Sequence, residues 1–183
     1  MKPGRSDEPQ VPRPVGPRWT GIPFPSYRYV PGVTPRHAHG DRYEQSGDVH
    51  RPWSPEEWGT LERYLYGIDL YNNGFFWESH EALEDLWKSA ERGSIQGRFV
   101  QGIIQIAAAN LHRHMGRRAS SLRQAEKGLT NLGAALGEGP VYMGISIAEF
   151  SNRVRAYLSG KASKPPAIEL IFGDGKTPTG SVP

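Results

Sequence analysis

At 183 residues, 37% hydrophobic and 10% aromatic, the chain holds enough apolar material for one domain with a sizeable core. It has no cysteine, which excludes disulfides, thiolate metal sites and a cysteine nucleophile. The proline-rich, polar start lacks the apolar segment of a secretory signal and no long apolar run follows, so the expectation is a cytoplasmic protein without membrane contact.

The excess charge sits in one place. Residues 1–52 carry eight basic and five acidic side chains, the whole of the net +3, and the rest of the chain has fourteen of each. A pI near 9.2 therefore does not describe a basic footprint on the folded part, and nucleic acid is disfavoured as a partner.

Ten of the sixteen prolines fall in residues 1–52, spaced so that no helix can run through them. Residues 1–18, poor in large apolar side chains, read as disordered. Residues 19–53 contain Trp19, Ile22, Phe24, Tyr27, Tyr29 and Val30, too much apolar surface to leave in water, and read as an extended arm packed on a helical core. The alternative is an arm that docks on a partner.

The helical domain is expected over 54–160. Ser54-Pro55-Glu56-Glu57 is a capping-box start, and Trp58, Leu61, Leu65 and Ile68 recur at helical spacing until Asn72-Asn73-Gly74. Further helices are predicted at about 75–90, 94–115 and 118–135, with Gly93 and Gly116 as stops. The fourth carries Leu122, Ala125, Leu129, Leu132 and Leu136 on one face. Ser146 and Glu149 offer a second capping box for a helix to about Leu158. The tail, 161–183, reads as irregular, although Ile168 to Phe172 has the composition to pair or pack locally. Short connections favour antiparallel neighbours and hence a compact all-α bundle.

Chemistry concentrates in the second and third helices. At 100° per residue, Phe76, Leu83 and Trp87 form an apolar stripe, with His80 and Glu84 beside it and Glu78, Glu81 and Asp85 on the other side, where solvent is expected. On the third helix Gln101, Gln105, Ala108 and His112 share one stripe within an otherwise apolar segment. Polar groups buried there need partners, and His80 and Glu84 are the expected ones, giving a His/Glu/Gln seam between the two helices. The leading reading makes that seam structural, or a site for a small ligand or partner. The alternative is a metal-dependent, hydrolase-like enzyme in which His80, Glu84 and His112 hold a divalent zinc, manganese or iron ion, with Glu81 or Glu78 as base. A second alternative is a nucleic-acid or regulatory adaptor acting through the arm and the basic run Arg113 to Arg123. No nucleotide-binding loop or nucleophile elbow is present.

The segments F-F-W-E-S-H-E-A-L-E-D-L-W and F-V-Q-G-I-I-Q-I-A-A-A-N-L-H resemble the bacterial and archaeal family of domain of unknown function DUF309. Phe76, Glu78, His80, Glu81, Leu83, Glu84 and Trp87 match its first motif, and Phe99, Gln101, Gly102, Gln105, Ala107 and His112 its second, over about residues 60 to 135. The resemblance implies a small fold of about five to seven helices and no established activity. Two positions depart from the family pattern: Gly116-Arg117 stands where Gly-Asn is frequent, and Ser146 stands where an acidic helix start is expected. The candidate ligand or pocket residues are therefore Glu78, His80, Glu81, Glu84, Trp87, Gln101, Gln105 and His112. Aromatics left uncovered by the arm would offer a homodimer interface.

Overall fold

The computed structural model describes residues 18–37 and 52–173. Of the stretch expected to be disordered only Arg18 is among them, and residues 38–51 of the arm and 174–183 of the tail also lie outside the described residues. Five α-helices form the body: α1 Glu62–Asn72, α2 Phe76–Ser89, α3 Ile95–His114, α4 Arg118–Gly133 and α5 Ile147–Leu158. Two short 3-10 helices, Pro55–Thr60 and Ala134–Gly137, and a hairpin of β1 Val141–Tyr142 with β2 Ile145–Ser146 complete the described elements. The architecture is all-α apart from that hairpin.

Two helix starts differ from expectation. The capping box forms, with the Ser54 N–H donating to Glu57 Oε2 at 3.1 Å, but it opens a 3-10 turn rather than the long first helix. Leu61 then adopts extended backbone before α1 begins. The break turns Trp58 away from the helix, onto Phe172 at 4.6 Å between ring centroids and against Gly144. Gly144 has φ +77, and an added Cβ would lie 2.5 Å from the indole, so glycine is required twice over. Ser146 makes no side-chain cap, because it is held in β2 opposite Val141.

The core is organised around α3. Phe99, Val100, Ile103, Ile106 and Ala107 are fully buried there, packed with Tyr64, Ile68, Tyr71, Leu83, Leu132, Ile145 and Ile147 from the other elements. Between Phe99 and Leu111 only Gln101, Gln105 and Ala108 are not buried, and half-buried His112 continues their line. α2 packs on one side of this helix and α4 on another. The α3–α4 approach is close because it is built on glycine: a Cβ on Gly128 would fall 2.9 Å from the Gly102 carbonyl oxygen, and one on Gly102 would fall 3.0 Å from the Gly128 carbonyl oxygen.

Both extended segments are fastened by side chains that bond to main chain. Asp69, fully buried in α1, accepts from the Trp19 N–H at 2.8 Å, the Thr20 N–H at 2.9 Å and the Thr20 hydroxyl at 2.8 Å. The Tyr66 hydroxyl donates to the Pro23 carbonyl, and Phe24 stacks on Phe75. In the tail, Asn72 donates to the Ile168 carbonyl at 2.9 Å and accepts from its N–H at 2.7 Å, so one side-chain amide pairs with one residue's backbone as a strand would. Ile168 and Leu170 are buried, and Ile171 donates its N–H to Gly144. Trp19 lies against Phe172, 5.4 Å between centroids, so arm and tail touch.

Gly128→Ala should lower stability by about 1–3 kcal/mol despite alanine's better helix propensity, because the added methyl meets the Gly102 carbonyl oxygen at 2.9 Å as well as the buried Ile106 side chain at 2.8 Å; chemical denaturation measures it. Asp69→Ala strands three donors, each worth about 1–3 kcal/mol when left unpaired in the interior. Hydrogen exchange should then show Trp19 and Thr20 losing protection while α3 keeps its own.

Candidate functional site

Glu78 was placed outside by helical spacing, and the structure corrects this. The residue is 7% exposed, because the arm covers that face of α2. Its Oε1 accepts from the Tyr29 N–H at 2.6 Å and pairs with His37 Nε2 at 2.7 Å. The His37 ring stacks on Tyr27, and Tyr29 meets the edge of Trp77. Burial pushes the Glu78 carboxyl above the usual range, opposed by hydrogen bonds from His37 and from the Tyr29 N–H. Burial likewise raises Asp69, against the hydrogen bonds from Trp19 and Thr20. These two carboxylates are the anchors of the arm.

The remaining acids are dispersed. Asp85 pairs with Arg63, Glu84 pairs with Lys88 at 3.4 Å, and Glu81 is half-buried. His80 stacks on Trp77, with its Nδ1 buried and unpartnered. Trp87 packs on the main core, which makes it a core side chain before it is anything else. His80 and Glu84 occupy the half-buried edge of α2, on faces turned away from Glu78.

The glutamines face a different partner from the one expected. Asn131 of α4 donates through Nδ2 to Gln105 Oε1 at 2.9 Å and to Gln101 Oε1 at 3.2 Å. The seam is therefore stitched to α4 rather than to His80 and Glu84 on α2, and it lies half-open to solvent as the one uncovered line of α3. Sequence pattern gives no sign of this bridge, since Asn131 is one of many polar residues on α4, which also carries Gln124. Each glutamine oxygen accepts one bond from Asn131, and the Nε2 groups of Gln101 and Gln105 have no partner among the described residues.

His112 closes the line. Its backbone carbonyl accepts from the Arg117 N–H at 2.8 Å, and its Nδ1 is buried without a partner. Burial first, then the positive charges of Arg117 and Arg123, hold its pKa below the usual histidine value. The expected ligand set of His80, Glu84 and His112 is not assembled: among the described residues no three His, Asp or Glu side chains come together in a group that could hold a metal ion. The physical reason is local pairing. Glu84 is turned to Lys88, His80 to Trp77, and His112 sits with cations.

Residues 64–124 match the family model Domain of unknown function (DUF309). The DUF309 match spans about a third of the chain, from α1 into α4. It contains Glu78, His80, Glu84, Gln101, Gln105 and His112, and leaves Asn131, the arm and the tail outside. No curated protein matches the chain. Among the described residues no helix is long and apolar enough to cross a membrane.

A carboxyl whose native pKa is raised still holds its proton at pH values where the unfolded chain has lost it. Its contribution to stability is then present at low pH and is lost as pH rises from the ordinary glutamate range through the raised native value. Glu78→Gln should abolish that component. Subtracting the variant's stability-against-pH curve from that of the unaltered chain should leave a difference that falls across this acidic window.

Proposed function

We propose that this chain is a helical binding module whose ligand lies along the exposed line of α3, in the groove between α2 and α4. The observation that carries the reading is the Gln101–Asn131–Gln105 bridge. A half-open polar line on a central helix needs no amide bridge for stability, since water can satisfy glutamine there at little cost. The bridge instead holds both side-chain amides about one helical turn apart and leaves their N–H groups without a partner among the described residues. Preorganised donors of this kind reduce the ordering cost of binding. His80 and Glu84 on the half-buried edge of α2 supply the candidate wall of the groove, and His112 its end.

Support for binding rather than catalysis comes from the composition of the groove. Gln101 and Gln105 neither ionise nor attack, Glu84 is engaged by Lys88, and among the described residues His80 and His112 belong to no group of three His, Asp or Glu side chains that could hold a metal ion. The proposal extends to a module carried on a fold in which the buried carboxylates have a docking task.

The test is a screen of small polar metabolites against the full chain, followed through the side-chain amide signals of Gln101, Gln105 and Asn131. Binding should move all three, and Asn131→Leu should weaken it about tenfold, the equivalent of one hydrogen-bonded contact. Ligands that leave these signals still and move only other parts of the chain would refute the assignment.

A further inference from the structure

The basic run between α3 and α4 is not uniform. Arg113 is committed: its guanidinium lies over the Tyr157 ring, 4.5 Å from the centroid, and donates to the Leu158 carbonyl. Arg117 and Arg123 are not. Among the described residues neither is paired with a carboxylate, and the one side-chain bond of Arg123 is to the Ser120 hydroxyl. Arg117 is bonded through its backbone to the carbonyl of His112, so the turn fixes one arginine directly beyond the end of the groove. Arg123 follows on the first turns of α4.

The floor of the groove is matched to the same kind of ligand. Gln101 and Gln105 each accept one bond from Asn131, and their N–H groups have no partner among the described residues. His112 closes the line as a half-buried ring. The line thus offers amide donors and ends at two arginines that pair with no carboxylate among the described residues.

We infer that the His112 end of the groove is an oxyanion subsite, formed by His112, Arg117 and Arg123, that takes the phosphate or carboxylate group of the ligand. Guanidinium donors suit either group because their planar fork matches paired oxygens. Gln105 lies seven residues before His112, about 10 Å along the helix at 1.5 Å per residue. A ligand held at both places is therefore elongated, with an anionic end and neutral acceptors along its body. The inference rests on the reading of the α3 line as a binding groove.

Inorganic phosphate and acetate, titrated separately into the full chain at an ionic strength held constant with chloride, decide it. The readouts are the His112 ring signals and the side-chain amide of Gln105. Saturable movement of the His112 ring is expected with at least one anion, and Arg117→Gln and Arg123→Gln should each weaken it about tenfold. Both arginines are exposed, so the variants should retain the helical signal of the parent, which circular dichroism checks. A response to phosphate alone assigns a phosphoryl group, and a response to acetate alone a carboxylate. Absence of saturable movement, or equal affinity in both variants, overturns the subsite. Neutral metabolites that still move Gln101 and Gln105 in that case would leave the groove standing, whereas loss of both responses removes the groove as well.

Discussion

The approach of α4 to α3 at Gly102 and Gly128 is the constraint from which the amide bridge on α3 follows. With no side chain at either crossing point, the backbones come within contact of each other, and Asn131 is brought close enough to span two glutamines a full turn apart. A larger residue at the crossing would lift α4 and leave each amide to find water separately. Packing geometry and polar geometry are here one problem: the helix spacing that excludes voids also sets the reach of the amide.

The arm is attached by a different economy. An extended segment cannot satisfy its own amides, and among the described residues no strand pairs with it. Buried carboxylates do so instead, Asp69 for Trp19 and Thr20 and Glu78 for Tyr29. Each carboxylate is costly to bury, and each is offset by several donors held in fixed directions. Asn72 treats the tail in the same way without a charge. Three side chains on α1 and α2 thus serve as fragments of a missing strand.

Much of this was legible in the sequence where the signal is local. The limits of α2, α3 and α4 fall within a residue or two of those expected, because Gly93, Ser94 and Gly116 act through neighbouring backbone. The polar line on α3 was also legible as a line, since periodicity fixes which residues share a face. Periodicity does not say what lies opposite. Glu78 was assigned to solvent because its partners, Tyr29 and His37, stand some forty or more residues away in a segment with no period. The glutamines were given to α2 rather than α4 because His80 and Glu84 made a chemically plausible match, whereas a single asparagine did not stand out. The first helix broke at Leu61 through a tertiary demand, the placement of Trp58 on Gly144 and Phe172, which no propensity encodes. The hairpin, two residues to a strand, is too short for alternation to appear.

The contact of Trp19 with Phe172, itself stacked on Trp58, closes the described chain into a ring in the mechanical sense. A pull applied between arm and tail is borne first by those three aromatic rings and by the backbone bonds to Asp69 and Asn72, both on α1. Tension on these two segments would accordingly be absorbed as their peeling from α1 before the packing of α3 against α2 and α4 is disturbed.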